Sequence, residues 1–185
     1  ETMQVDFFEI TEQQHKASNR KKKELASSIA KEAYNFRQSG RYLELLIQRN
    51  FRRTDYSVTY TYDNDHLPAP GDMERVDKDF SAAMKKLYRM CDKAGIAHPG
   101  WAEVAEYTTY VDGKWVGRHH HHIVMQHTEG LTREMVEKAW GGRGMARCEP
   151  LNFDHGYITG LAKYIVKNVR CKRHWRQSRG LKPPK

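Results

Sequence analysis

Four consecutive histidines at positions 119–122 are the residues of this sequence best suited to binding a metal ion. They run directly into the apolar residues 123–125, two of which are β-branched, and this pattern predicts a buried strand. Alternate side chains of a strand share a face, so His120 and His122 point one way and the odd-numbered pair the other. Two imidazoles about 7 Å apart on one face can close on one ion. A solvated or hydrogen-bonded histidine cluster is the alternative.

A hairpin is predicted to bring a carboxylate beside these imidazoles. Residues 101–111 form the predicted outgoing strand, Asp112-Gly113 is a strong signal for a two-residue turn, and residues 114–125 form the return strand. The numbers of paired residues then sum to about 225, and a bulge at Gly117 would adjust this pairing by one residue.

The carboxylate in question is Glu106. The predicted register places it opposite His119 or His120, where it becomes the predicted third metal ligand. Glu103 is a second candidate on the same strand. An edge carboxylate that faces water is the alternative for Glu106.

A tyrosine and a lysine could supply the chemistry of phosphoryl transfer. Tyr164 and Lys167 lie in a predicted helix over residues 157–168, one turn apart and therefore on one face. A phenol with a pKa of about 10 is a weak nucleophile at neutral pH. A nearby ammonium and a metal-bound phosphate would favour the phenolate and stabilise the transition state. A half-buried structural tyrosine is the alternative.

These residues, in chain order, resemble the signature of the HUH endonuclease superfamily, which is His-hydrophobe-His followed by Tyr-x-x-Lys. The sequence is similar to the replication-associated initiators of rolling-circle phages and integrated elements, over about residues 30–184. The matching segments are Thr61-Tyr62-Asp63…Leu67-Pro68, Glu106, His120-His121-His122, Trp140-Gly141…Gly142-Arg143…Ala146-Arg147, Tyr164-Ile165-Val166-Lys167 and Arg173-His174-Trp175…Pro183.

Two positions depart from the family's pattern. The family has a bulky hydrophobe where this chain has His121, and the run also permits a ligand frame at 119–121. The apolar residues that follow His122 favour that histidine as the last ligand. Members with two active tyrosines place them four residues apart, but position 160 is glycine here, and Tyr157 is the second candidate nucleophile.

The resemblance implies a metal-dependent, site-specific endonuclease and strand transferase, a hydrolase and nucleotidyltransferase that initiates rolling-circle replication. Glu106, His120 and His122 would hold Mn²⁺ or Mg²⁺, of which Mn²⁺ is better suited to imidazole ligands. Tyr164 would attack the scissile phosphate, form a 5′-phosphotyrosine link and release a 3′-hydroxyl primer. Lys167 would neutralise charge on the phosphate or the phenolate.

The implied partners are single-stranded DNA at a replication origin, including a hairpin origin, and a host helicase. The implied location is the cytoplasm of a bacterial cell that hosts a phage, plasmid or integrated element. The motif spacing and the Thr61-Tyr62-Asp63 segment favour an initiator over a conjugative relaxase or single-strand transposase of the same chemistry. A non-catalytic DNA-binding module with structural histidines is the alternative from another class.

Composition agrees with a nucleic-acid partner. The 185 residues carry a formal net charge of +9 and have a pI of about 9.5, which suits a polyanion. No acidic residue follows Asp154, and Trp175 lies within this basic tail, a combination typical of proteins that bind single strands. The predicted DNA-binding residues are Arg118, Lys163, Arg170, Lys172, Arg173, Arg176 and Arg179.

No signal peptide and no apolar run of about 20 residues is visible, so no membrane association is expected. Cys91, Cys148 and Cys171 are widely spaced and are expected to be reduced cytosolic thiols. The sequence begins at Glu1 rather than methionine and is expected to be a fragment of a longer protein.

An α+β fold is expected. The resemblance implies a central antiparallel sheet of about five strands flanked by helices, the palm-like fold of HUH endonucleases, with the histidine strand central and the tyrosine helix across its metal face. The expected units are a basic N-terminal helical segment over 1–50 and an endonuclease domain over 51–185. Predicted helices cover 11–38 (ended by Ser39-Gly40), 42–50, 73–94, 132–140 and 157–168, and predicted strands cover 56–62, 101–111, 114–125 and 145–151.

Overall fold

Three helices and seven short strands make up the described part of the chain. The computed structural model describes residues 29–107, 110–111, 114–115, 117–152 and 175–184. The elements in chain order are α1 (Ile29–Asn50), β1 (Tyr56–Thr61), α2 (Met73–Ala94), β2 (Trp101–Tyr107), β3 (Tyr110–Val111), β4 (Lys114–Trp115), β5 (His119–Met125), α3 (Arg133–Ala139), β6 (Ala146–Pro150) and β7 (Arg176–Gln177).

Five of the strands form one sheet in the order β6-β1-β5-β2-β7, and each neighbouring pair is antiparallel. The short pair β3-β4 forms the tip of the hairpin between β2 and β5. The histidine strand β5 lies in the centre of the sheet, as predicted. Helices flank this sheet, so the predicted α+β class and the expected five strands are confirmed.

One face of the sheet is packed against α2 and α3. The alternate residues Tyr56, Val58 and Tyr60 of β1 are buried in this core, as the period-two pattern of a strand requires. The ring of Tyr60 stacks on that of Trp140, with centroids 4.9 Å apart. This face is therefore apolar and aromatic along β1.

The opposite face is packed against α1. Leu43, Leu46 and Ile47 are buried against Val104 and the neighbouring part of β5. The sequence pattern predicted a break at Ser39-Gly40, but α1 runs through both residues. A helical glycine costs only about 1 kcal/mol relative to alanine, and burial of three large apolar side chains outweighs that cost. The helix thus shares a core with the sheet.

The hairpin holds one extra residue on its return strand. Between the β3–β4 ladder and the β2–β5 ladder, the outgoing strand advances three residues and the return strand four. Gly117 lies in this stretch with a φ of 142°, a backbone conformation that favours glycine. The predicted one-residue bulge is confirmed, and it sets the register that pairs Glu106 with His120.

Most of the other described elements follow the predicted pattern. Helix α2 covers residues 73–94 as predicted, with Asp72 as its N-cap, and α3 is capped by Thr132 as predicted. Strand β6 lies within the predicted strand over 145–151, whereas β7 was not predicted. The predicted helix over 157–168 lies outside the described residues.

Two further expectations concern the membrane and the thiols. Among the described helices, none is long and apolar enough to cross a membrane. Cys91 and Cys148 are buried free thiols, as predicted, and Cys171 lies outside the described residues. Burial raises the pKa of both described thiols, to about 12 for Cys148, so they stay protonated and unreactive.

Candidate metal centre

The face of the sheet that packs against α1 carries the predicted metal ligands. Glu106 pairs with His120 in the β2–β5 ladder, and Thr61 pairs with the same histidine in the β1–β5 ladder. Directly paired residues point to one face, so these three side chains stand side by side. His122 follows on the same face, two residues farther along β5.

Within this group, a carboxylate and an imidazole are already in contact. Nε2 of His122 lies 3.0 Å from Oε2 of Glu106, and the two side chains are 19% and 10% exposed. Nδ1 of His120 lies 3.1 Å from the Thr61 hydroxyl, so Nε2 is the nitrogen through which His120 could bind a metal ion. The centroids of the two histidine rings are 6.2 Å apart.

The donor set suits a divalent transition metal. Two ligand atoms that share one ion at about 2.1 Å each stand roughly 3 Å apart, which is the separation between His122 Nε2 and Glu106 Oε2. Two imidazoles on one ion have centroids roughly 5 Å apart, so His120 has to turn toward His122 by about 1 Å. In the part of the chain that the structure describes, no three His, Cys, Asp or Glu side chains already surround a metal position, so three-ligand binding requires this movement of His120.

Electrostatics favour a neutral imidazole at His120. Burial lowers the pKa of this histidine, and the neighbouring His122 lowers it further, while Glu106 acts in the opposite sense. Metal ions bind the neutral form of histidine. The lowered pKa therefore keeps His120 in the neutral form, which is the form that could bind a metal ion at neutral pH.

His119 and His121 lie on the opposite face of β5, as predicted. They are 1% and 0% exposed. Burial lowers the pKa of His119 to about 4, although a hydrogen bond with the backbone of Ala69 works to raise it. The alternative ligand frame at 119–121 would take two of its three histidines from this core, so the geometry favours the even-numbered pair.

Glu103, the second candidate ligand, is on the wrong face for this site. It lies three residues from Glu106, and an odd separation along a strand puts two side chains on opposite faces. Glu103 Oε1 lies 2.7 Å from His121 Nδ1, and its Oε2 accepts a hydrogen bond from Arg176 Nε at 3.0 Å. Although burial works to raise the pKa of Glu103, the contact with His121 and the charge of Arg176 outweigh it, and the pKa lies below its usual value.

Two of the arginines predicted to bind DNA are bonded to the protein itself. Arg176 also pairs through Nη1 with Asp77 Oδ1 at 2.9 Å, and its side chain is 16% exposed. This is the environment of a structural ion pair, and the DNA contact predicted for Arg176 stays a prediction. Arg118 donates to the carbonyl of Tyr62 at 2.9 Å and to the Asn64 side chain, and so holds the loop that follows β1.

Arg179 is exposed in the turn after β7, where a polyanion could reach it. Leu151 and Trp175 both pack in the apolar cluster on the face that carries the predicted ligands. They adjoin β6 and β7, the two edges of the sheet. The predicted site residues outside the described part of the chain are Tyr164, Lys167, Lys163, Arg170, Lys172 and Arg173.

Thr61 was not among the predicted site residues. Its signal in the sequence is the alternation of β1, where Ser57, Thr59 and Thr61 place hydroxyl groups on one face while the other face is aromatic and apolar. A polar group bonded to the second nitrogen of a metal-binding histidine fixes the orientation of its ring. Thr61 can do this for His120.

Comparison of the chain with protein-family models, with curated proteins and with solved structures found no match. The functional proposal below is therefore carried by the residues and their geometry.

Proposed function

We propose that this protein is a metal-dependent endonuclease that nicks and rejoins single-stranded DNA to initiate rolling-circle replication. The observation that carries the proposal is the placement of Glu106, His120 and His122 on one partly exposed face, with a carboxylate and an imidazole already 3.0 Å apart. The net charge of +9 suits DNA as the partner.

Glu106, His120 and His122 are the residues that would hold the ion. When bound, a metal ion there would polarise the scissile phosphate and offset the negative charge that develops on it. Two imidazoles and one carboxylate favour Mn²⁺, whereas Mg²⁺ prefers oxygen ligands and would be held less tightly. Thr61 would keep the His120 ring in orientation.

Tyr164 is the proposed nucleophile, with Lys167 as its charge-neutralising neighbour. The phenol oxygen gives up its proton to solvent and bonds to phosphorus in line with the departing O3′ atom. The bond between phosphorus and O3′ breaks, and O3′ takes up a proton. The support for this assignment is the spacing of Tyr164 and Lys167, which matches the Tyr-x-x-Lys element of the HUH resemblance.

The proposed substrate is an origin of replication in single-stranded form, including a hairpin, with a host helicase acting on the nicked product. The proposed setting is the cytoplasm of a bacterium that carries a phage, plasmid or integrated element. These parts of the proposal rest on the resemblance to rolling-circle initiators.

Mass spectrometry of the protein after incubation with Mn²⁺ and a randomised library of single-stranded DNA tests the proposal. We expect a covalent nucleotide adduct on Tyr164 that is missing from Tyr164→Phe and from samples with a chelator. Tyr157→Phe is the matched control and should keep the adduct. An adduct on another residue, or cleavage that persists in the chelator, would contradict the proposed mechanism.

A further inference from the structure

A second polar cluster lies behind the candidate metal centre, on the opposite face of the same two strands. Glu103 of β2 contacts Nδ1 of His121 at 2.7 Å and Nε of Arg176 at 3.0 Å. The hydroxyl of Tyr62 lies 3.4 Å from Nε2 of His121. The Phe80 ring stacks on His121 with centroids 5.3 Å apart, so the cluster lies within the aromatic core.

Burying charged side chains in the core, as this cluster does, has a high cost in desolvation free energy. Removing a carboxylate and a guanidinium from water has a large desolvation cost, and apolar side chains of similar volume are often as stabilising or more so. The metal centre itself uses only the histidines on either side of position 121, and the HUH resemblance leads one to expect a hydrophobe between them. What such polar contacts can add is geometric specificity.

The carboxylate–imidazole contacts on the two faces slant in opposite directions across the β2–β5 ladder. On the metal-bearing face, Glu106 contacts His122, which lies two residues beyond its own paired residue along β5. On the other face, Glu103 contacts His121, which lies two residues before its own paired residue. Sliding β5 past β2 in either direction would therefore lengthen one of the two contacts.

The hairpin has one specific competing register, which is the one without the bulge at Gly117. If the pairing of β3 with β4 continued into β2 and β5 with no extra residue, Glu106 would pair with His119 instead of His120. A shift of one residue moves every side chain of β5 to the other face relative to β2. The metal ligands would then be separated.

We infer that Glu103 and His121 are positioning residues that select the bulged register and so bring Glu106 to His120 and His122. With a metal ion bound, Glu106 and His122 would direct their contacting atoms to the ion instead of to each other. The contact between Glu103 and His121 involves no ligand and persists. This inference rests on the proposed function for its metal, but its register can be measured without one.

Replacing His121 by leucine removes the contact and leaves a side chain that suits an apolar core. A change of register would separate Glu106 from the two imidazoles, and loss of a ligand should weaken metal binding by more than the roughly ten-fold that loss of an outer partner costs. We therefore expect His121→Leu to bind Mn²⁺ more than about ten-fold more weakly in a titration followed by electron paramagnetic resonance. Phe80→Leu is the matched control, because it loses packing on His121 but keeps the Glu103 contact, and should bind Mn²⁺ like the wild type. Wild-type affinity in His121→Leu would overturn the inference.

A disulfide provides a rescue that a merely structural role would not predict. Ala105 pairs directly with His121, and Cβ atoms of such pairs stand about 5 Å apart, near the spacing that a disulfide spans. Oxidised Ala105→Cys/His121→Cys should bind Mn²⁺ like the wild type, and the same sample reduced with a phosphine should bind it weakly. Equal affinity in the two states would contradict the inference.

The failure of the proposed function can be told apart from the failure of this inference. Wild-type protein that binds no Mn²⁺ counts against the metal site itself. The register can then be measured in the metal-free protein from the nuclear Overhauser contacts that the Glu106 backbone makes across the strands. Contacts with His119 in His121→Leu support the inference, and unchanged contacts with His120 overturn it.

Discussion

The four histidines have the same side chain but lie in different environments, because alternate residues of β5 face different layers of the molecule. The even-numbered pair lies beside Glu106 on a partly exposed face. His121, by contrast, is enclosed by the rings of Phe80 and Trp140. Burial and neighbouring charge, rather than residue type, therefore decide which imidazoles can bind a metal ion.

Replacing Glu106 by glutamine tests the carboxylate ligand. An amide carries no charge and binds Mn²⁺ poorly, so we expect Glu106→Gln to weaken Mn²⁺ binding by about ten-fold or more, measured by isothermal titration calorimetry. Glu149→Gln is the matched control, since Glu149 pairs with Ser57 on the same face of the sheet, and should bind as the wild type does. Equal affinities in the two variants would rule out Glu106 as a ligand.

His119 makes the free energy of unfolding depend on pH. Its pKa is about 4 in the folded protein and about 6.5 in the unfolded chain, so between these values only the unfolded chain takes up a proton. The stabilisation is complete above pH 6.5 and declines as the pH falls toward 4, by about 3 kcal/mol at most. Urea unfolding at pH 7 and pH 5 should show a smaller loss for His119→Asn than for the wild type. Identical losses would show that His119 does not cause the dependence.

The side chains of the candidate metal site were predictable because their relations are local. The period of two along a strand separates the histidines, and the pairing of two neighbouring strands brings Glu106 to His122 over a separation of only 16 residues. The partners of Glu103 were not predictable in this way. Arg176 lies 73 residues away along the chain, and no pattern in the sequence links two single residues over that distance.

At the scale of elements, the bulge in the hairpin determines which residues meet. The tip and the base of the hairpin differ by one residue in register. Gly117 lies between them and has a positive φ. Without that extra residue, the pairing of β3 with β4 would continue into the pairing of Glu106 with the buried His119. The site is therefore a property of the whole hairpin and not of its motifs alone.

Gly117→Ala should weaken both the fold and the metal site. Alanine is strained at a φ of 142°, so we expect a loss of about 1–2 kcal/mol in the free energy of unfolding and weaker Mn²⁺ binding. Gly95→Ala is the control, because Gly95 has a φ of 67° and open space around its Cβ position at the C-cap of α2. It should lose similar stability and keep its Mn²⁺ affinity. If Gly117→Ala binds Mn²⁺ normally, the bulge does not set the site.

Elements with a strong periodic pattern were predicted, and elements held by tertiary contacts were not. Helix α2 and strand β1 have clear periods of 3.6 and 2 and were found where expected. The break predicted at Ser39-Gly40 is wrong because packing of α1 on the sheet overrides local propensity. Strand β7 has two residues, too few for any pattern, and is held by Arg176 and by the Ser178 contacts with Trp101.

At the scale of the whole molecule, net charge would govern the proposed encounter with DNA. A protein with a net charge of +9 that binds single strands should lose affinity steeply as salt increases, with a slope of about 0.7 per phosphate neutralised. We expect Arg179→Ala to reduce that slope by about 0.7 in fluorescence anisotropy titrations with a single-stranded oligonucleotide. A flat response between low and moderate salt would show that the basic tail does not bind the backbone of DNA.

The position of Arg176 late in the chain also affects the order in which the core can fold during synthesis. Strands β1, β2 and β5 leave the ribosome well before Arg176, so the nascent sheet carries the Glu103 carboxylate without its guanidinium partner. The contact with His121 is available earlier, but without the guanidinium the ionised carboxylate remains costly to enclose. We therefore expect the core around Glu103 to close in a late step, after Arg176 has been synthesised.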